Sequence, residues 1–212
     1  MIGILSGILG ELLILINVPT YLSCVIAIAI SVLITGAFHE DGLADMADGF
    51  GAGGTPKKIN EIMHDSRLGT YGTSALTLGL LIRIGITIAL VDLGYSMLII
   101  LAISFASGKL AILFMRNFSY TSNFAKTGTI IEYISFKKIL LATIIWSISV
   151  VFIFPFFSIL LGIFLASVVV LTMIKLSNRK LGGITGDILG ATAFLTELAF
   201  MLGLVIYLGT IF

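Results

Sequence analysis

The chain has 212 residues, of which 58% are hydrophobic and 11% charged, with a net charge of +1. Soluble domains carry about 25% charged residues, so the composition specifies an integral membrane protein, one polytopic domain over residues 1–212, whose partner is the lipid bilayer. A near-neutral balance excludes the basic footprint of a nucleic-acid partner, and the lone cysteine, Cys24, sits in an apolar run where a packed small residue is expected.

A bilayer span takes about 20 apolar residues. The expected spans lie at 2–17, 20–38, 73–91, 95–115, 137–155, 157–174 and 187–210, an all-α bundle of about seven transmembrane helices. The first contains Glu11 and has neither a basic leader nor a small-residue cleavage site, so it is read as a retained span. Asn17-Val18-Pro19-Thr20 predicts a tight turn between the first two spans, and Pro155 marks the break between the fifth and sixth. An oligomer is compatible with this pattern.

Charge orients the bundle. Lys57, Lys58, Arg67, Arg116, Lys126, Lys137, Lys138, Lys175, Arg179 and Lys180 fall in alternate loops, 10 of the 12 basic residues, while the turns near 18, 93 and 156 have none. The positive-inside rule places the basic loops in the cytoplasm. The expectation is a multi-pass plasma-membrane protein with a cytoplasmic N-terminus, an external C-terminus and a cytosol-facing active-site loop at about 39–72. Lys109 is close enough to its span end to snorkel. Arg83 is nearer mid-membrane, where a charge marks either a functional site or a structural pair, here with Glu11 or Glu197.

The loop carries the chemistry. Glu40, Asp41, Asp45 and Asp48 place four of 11 acidic residues within nine positions, after 37 residues with one charge. Asp41, Asp45 and Asp48, spaced i, i+4, i+7, share one helix face, and like charges there repel unless a cation intervenes. Oxygen ligands beside a membrane suit Mg²⁺, which bridges carboxylates to substrate phosphates. The bland alternative, acids tolerated at a helix start, covers Glu40 and Asp41 but not the whole stripe.

Gly49 to Pro56 reads as a flexible glycine break, with Thr55 capping a helix that begins at Pro56 and runs to about Asp65. Glu61 and Asp65 form a second carboxylate pair that could face Asp45 and Asp48 across one or two metal ions, the arrangement that clamps an in-line phosphoryl displacement. Lys57, Lys58 and Arg67 are candidate phosphate contacts, although for the two lysines the stronger reading is topology signals or headgroup contacts. His39 and His64 are expected to hydrogen-bond at the interface, since Mg²⁺ rarely takes imidazole. A second polar island, Lys180 to Gly190, opens the last span. Its glycines would let a ligand reach the backbone around Gly186 and Asp187, or else Thr185 or Asp187 caps the helix and the small residues pack.

Three stretches carry a family resemblance. His39-Glu40-Asp41-Gly42-Leu43-Ala44-Asp45-Met46-Ala47-Asp48-Gly49, Asp65-Ser66-Arg67-Leu68-Gly69-Thr70-Tyr71-Gly72 and Leu181-Gly182-Gly183-Ile184-Thr185-Gly186-Asp187 resemble, in order and over nearly the whole chain, the cobalamin synthase (adenosylcobinamide-GDP ribazoletransferase) family. The resemblance implies a longer stretch ahead of the first span than this sequence carries, and a basic residue where His64 stands. It implies a Mg²⁺-dependent enzyme of late cobamide biosynthesis with small-molecule substrates. α-Ribazole or its 5′-phosphate attacks the cobinamide-linked phosphate of adenosylcobinamide-GDP, GMP leaves, and adenosylcobalamin or its 5′-phosphate forms. On this reading Asp41, Asp45, Asp48, Asp65 and Glu61 are metal ligands. Asp48 is the candidate base, acting with Asp45, Asp65 and Arg67, and Arg67, Lys57, Lys58, Gly186 and Asp187 contact substrate. Asp45-x-x-Asp48-Gly49 also resembles part of the CDP-alcohol phosphatidyltransferase signature, without the Ala-Arg pair that follows it there. A cation-coupled transporter is the alternative from another class, although its carboxylates would sit nearer the midplane.

Overall fold

The computed structural model describes residues 1–125 and 134–211; Lys126, one of the topology-setting basic residues, lies outside them. Its ordered elements are helices, joined by one isolated bridge between Thr121 and Ile184. Seven apolar helices stand where the spans are expected: α1 (Ile2–Leu15), α2 (Thr20–Thr35), α5 (Thr70–Asp92), α6 (Met97–Phe118), α7 (Phe136–Val151), α8 (Phe156–Leu181) and α9 (Gly186–Leu208). Between α2 and α5 lie α3 (Phe38–Ala52) and α4 (Pro56–Met63). Four helices, α5, α6, α8 and α9, are long and apolar enough to cross a membrane by themselves, and α2 with α3 qualify as a pair bent by 84°. α1, with 14 residues, and α7, with 16, are apolar but shorter. The arrangement is compatible with seven crossings.

Local chemistry sets the breaks. Asn17 takes a positive φ of 65° in the α1–α2 turn, and Pro155 stands immediately before α8. The bend between α2 and α3 is made by consecutive left-handed residues, Gly36 and Ala37, with φ of 62° and 57°. Ala37 is strained there, since a Cβ disfavours that region. Thr55 caps α4 by accepting the Lys58 N–H, with Pro56 in the first turn, as the sequence predicts.

α9 is the central helix and packs on α8, α3, α6 and α5. Small residues permit this. A Cβ on Gly203 would meet the Gly162 Cα at 2.5 Å, so α8 and α9 touch backbone to backbone. Gly3, Gly7 and Gly10 form the equivalent stripe of α1 against α6, where a Gly7 Cβ would lie 2.5 Å from the Leu98 Cα. One apolar core, around Leu43, Met63, Met115, Ile188 and Phe194, supports the end that carries α3 and α4. Another, around Leu90, Ile100, Phe154 and Leu204, fills the opposite end. Cys24 is buried with Ala27 and Met97 beneath α1 and α2 and is a free thiol.

Candidate active site

The acidic stretch forms one helix, α3, that runs on through Ala52. The expected glycine break from Gly49 is therefore shorter than predicted. Gly49 packs on α4, with Met63 and Ile59 against it, and Gly51 lies on the Tyr71 ring. The chain turns only at Gly53 and Gly54, with φ of 68° and 110°. Glu40 and Asp41 occupy the first turn, where the helix dipole favours them. Lys180 closes the other end, donating to the Phe50 carbonyl at 2.8 Å with its ammonium over the Phe50 ring. α3 is thus charge-complemented at both ends.

Asp48 is buried and ties α3 to the start of α5. Its Oδ2 accepts the Gly69 N–H at 2.7 Å and its Oδ1 the Gly72 N–H at 2.8 Å. These are two of the N–H groups that the first turn of α5 leaves without helical partners. The same approach explains both glycines, because a Cβ at Gly69 or Gly72 would run into the Asp48 carboxylate. On the next side of α3, a Cβ on Gly42 would sit 2.5 Å from the Asp187 carbonyl oxygen, and one on Gly190 3.0 Å from the Phe38 oxygen. The first turns of α3 and α9 therefore cross in contact. The polar island is shaped by the same economy. Gly182 is the left-handed C-cap of α8, Gly183 (φ 153°) lies against the backbone of Tyr120 to Ser122, and Thr185 caps α9 through the Ile188 N–H. The packing and capping reading of this island holds for these residues. Gly186 and Asp187 are half-buried beside the acidic face.

On that face Asp41 is exposed and Asp45 half-buried. Desolvation, then the charges of Asp41 and Asp187 and, more weakly, of Asp48 push the Asp45 carboxyl up to about 7, and His64 opposes the shift. Three acids thus converge electrostatically on Asp45. Asp65 and Glu61 do not join them. Asp65 follows the end of α4, is exposed, and takes the Arg67 guanidinium in a two-bond pair, Nε to Oδ1 at 3.0 Å and Nη2 to Oδ2 at 2.7 Å. The hydrogen bonds from Arg67 hold the Asp65 carboxyl down at about 2. Glu61 is exposed and 3.6 Å from Lys58. The facing carboxylate pairs expected from spacing are not formed, and among the described residues no three His, Cys, Asp or Glu side chains stand close enough to hold a metal ion. Lys57 is exposed on the outer face of α4, and His64 bonds the Asn60 carbonyl through Nδ1 at 2.9 Å.

Sequence reasoning left one assembly unassigned. Arg83 is buried between Glu40 (3.1 Å) and Glu197 (2.9 Å), with its guanidinium over the rings of Phe105 and Phe194. Of the two partners expected for it, Glu197 is the one found. Glu11 instead accepts from the Ser96 hydroxyl and the Leu98 N–H. His39 joins the cluster, with Nε2 at 2.8 Å from the Lys109 ammonium and Nδ1 at 3.8 Å from Glu197. An ammonium only donates, so Nε2 accepts and the ring proton sits on Nδ1, facing Glu197. The signal for this cluster in the sequence is the mid-membrane Arg83; its second partner, Glu40, lies within the acidic stripe.

Fold and site together define a polytopic, all-helical membrane protein with an acidic helix fixed at one end of its bundle by two distant glycine-bearing segments. The chain belongs to the family described as cobalamin-5-phosphate synthase, which matches it over residues 1–205. A protein of Azorhizobium caulinodans named adenosylcobinamide-GDP ribazoletransferase is 34% identical over 196 residues, covering 90% of this chain and 74% of its own length. Proteins of the same name from Vibrio parahaemolyticus and Leptospira interrogans are 32% and 36% identical, over 98% and 89% of this chain and 80% and 74% of their own lengths. No solved structure matches the chain.

Proposed function

We propose that this chain transfers the phosphocobinamide group of adenosylcobinamide-GDP to α-ribazole or its 5′-phosphate, releasing GMP, at a cytoplasm-facing site on a cell membrane. The carrying observation is convergence. The three stretches that resemble the family, around residues 39–49, 65–72 and 181–187, meet at α3 through the Asp48 bonds to Gly69 and Gly72 and the contact of Gly42 with Asp187. Nothing in local packing requires stretches so far apart to share one polar surface, whereas a site for two bulky substrates does.

The donor chemistry fits Mg²⁺. The groups are carboxylate oxygens, and the mutual repulsion felt at Asp45 is what a divalent cation relieves. Asp41, Asp45 and Asp187 would hold it only by drawing closer together than they stand, since no three such side chains among the described residues are near enough to share an ion. Asp48 keeps a second lone-pair direction on each oxygen. Asp65 and Glu61 would join only by releasing Arg67 and Lys58. When bound, Mg²⁺ supplies positive charge for the phosphate oxygens and the departing GMP. Arg67, exposed and anchored by Asp65, would serve as a second cation for the diphosphate. Asp48, buried and held by two backbone N–H groups, orients α3 and the Gly69–Gly72 turn in addition to any role as base. The alignment of the attacking hydroxyl comes from holding both substrates on one rigid surface.

The test is nucleotide release from membranes containing the chain, given both substrates with Mg²⁺ and then with EDTA. GMP and cobamide in equal amounts, lost on chelation, are expected. CMP released from a CDP-alcohol instead would move the reading to a phosphatidyltransferase. For orientation, a cysteine placed at Lys57 should label only from the cytoplasmic side.

A further inference from the structure

α7 is the least embedded helix of the bundle. Of its 16 residues only Ile139 and Val150 are buried. On one side of it a cavity of about 630 Å³ opens between α6, α7, α8 and α9, lined by Phe114, Trp146, Ile163, Val170, Thr196 and Phe200 among others. On the other side a second cavity of about 490 Å³ lies between α6 and α7, and Leu110 and Trp146 line both. A void of this size, within the roughly 300–1,000 Å³ of ligand pockets, is not left empty between membrane helices.

We propose that the larger cavity holds an acyl chain of an anionic phospholipid, with the headgroup bound by Lys137, Lys138, Lys175 and Arg179. Three observations carry this. First, the lining is mostly apolar, and two of its hydroxyls are satisfied internally: Ser107 donates to the Ile103 carbonyl at 2.8 Å and Thr143 to Ile139 at 2.9 Å. Hydrocarbon is the filling that such a wall accepts. Second, the four cations stand at one end of the cavity. Lys137 and Lys138 occupy the first turn of α7, Lys175 and Arg179 the last two turns of α8, and lining residues Phe118 and Ile174 lie at the same ends of α6 and α8. All four are exposed, and among the described residues none makes an ion pair. Basic clusters between membrane helices on the positive side bind anionic headgroups. Third, the cavity is separate from the acidic face. Thr196 is nine residues along α9 from Asp187, ~14 Å and about two and a half turns, so it points to the opposite side of the helix.

Trp146 is the chain's only tryptophan and lines the cavity, so it reports the occupant directly. The experiment is quenching of its fluorescence in phosphatidylethanolamine vesicles containing, at equal mole fraction, acyl-brominated phosphatidylglycerol or acyl-brominated phosphatidylethanolamine. Stronger quenching by the brominated phosphatidylglycerol is expected. That preference should vanish in Lys137→Gln/Lys138→Gln, whose cavity is intact, and should also be lost in Ser167→Phe, which fills the cavity. Equal quenching by both lipids in the unaltered chain would overturn the anionic site. No quenching by either would show the cavity covered by protein, a second copy included, and would overturn it too. The Thr196 hydroxyl is buried without a partner, and a hydrocarbon chain would leave it unsatisfied. Relief of quenching on adding α-ribazole would therefore assign the cavity to the aromatic base and reject the lipid. None of these readouts depends on turnover.

Discussion

Asp48 accepts the backbone N–H of Gly72, 24 residues further along the chain, at 2.8 Å, and with its other oxygen the N–H of Gly69 at 2.7 Å. One side chain thus caps the start of α5 and fixes the angle at which the acidic helix lies on it. The sequence offers Asp48 as a base; its surroundings give it a structural duty that any catalytic duty must share.

Asp48→Asn should therefore lose stability along with activity. The amide keeps one acceptor oxygen but presents an NH₂ to a backbone N–H. The expected cost is about 1–2 kcal/mol, the range of a lost helix cap, and Asp48→Ala should cost more. Thermal unfolding in detergent beside GMP release checks this. Full loss of turnover at an unchanged midpoint would make Asp48 a base and little else.

Asp45 predicts a pH dependence in the absence of divalent cations. Its carboxyl is raised from the ordinary 3.8 to about 7 in the folded protein, so folding favours the protonated form. Stability from this group is present below the unfolded value and is lost as pH rises from there to about 7. In EDTA the unfolding midpoint should fall over that window. Mg²⁺ should restore it at the upper end. Asp45→Asn should flatten the profile and abolish most Mg²⁺-dependent turnover while the protein still inserts.

Gly42→Ala tests the crossing of α3 and α9. Its Cβ would meet the Asp187 carbonyl at 2.5 Å, and backbone cannot swing aside as a flexible side chain would. Overpacking of this kind costs about 1–3 kcal/mol, and the displacement also carries Asp45 away from Asp187. Turnover should fall by more than stability. Gly190→Ala, with a 3.0 Å approach to the Phe38 oxygen, should be milder in both.

Arg83→Met should be among the most damaging single changes, leaving Glu40 and Glu197 buried without their cation. Breaking a buried pair by removing one partner costs about 3–5 kcal/mol. Combining it with Glu40→Gln and Glu197→Gln removes the uncompensated charges and should recover much of the loss. Yield and unfolding midpoint of the single and triple variants decide the matter; equal damage in both would mean that Arg83 acts through packing on Phe105 and Phe194 rather than through charge.

The helices were legible because their signals are local. Apolar runs of span length, the Asn17–Pro19 turn, Thr55 ahead of Pro56 and the helical spacing of Asp41, Asp45 and Asp48 each depend on a few consecutive residues, and each appears in the structure where the sequence puts it. The motifs also sufficed to reach the family, since residue identity in order is all that such a likeness uses.

Local sequence alone therefore establishes the all-helical membrane class, the places of the helices and the polar stretches that matter. Tertiary structure decided which oxygens those stretches leave available. The pairs that settle it are separated by 21 and 24 residues at Asp48, by 43 between Glu40 and Arg83, and by 114 between Arg83 and Glu197. Periodicity reports which face of a helix a residue occupies, but not which helix that face meets. So a stripe of three aspartates read as equivalent becomes an exposed acid, a half-buried one raised by its neighbours, and a buried cap. Glu61 and Asp65, one helical turn apart in the sequence pattern, are drawn outward to Lys58 and Arg67, because α4 buries Ile59 and Met63 instead and turns its charged face to solvent.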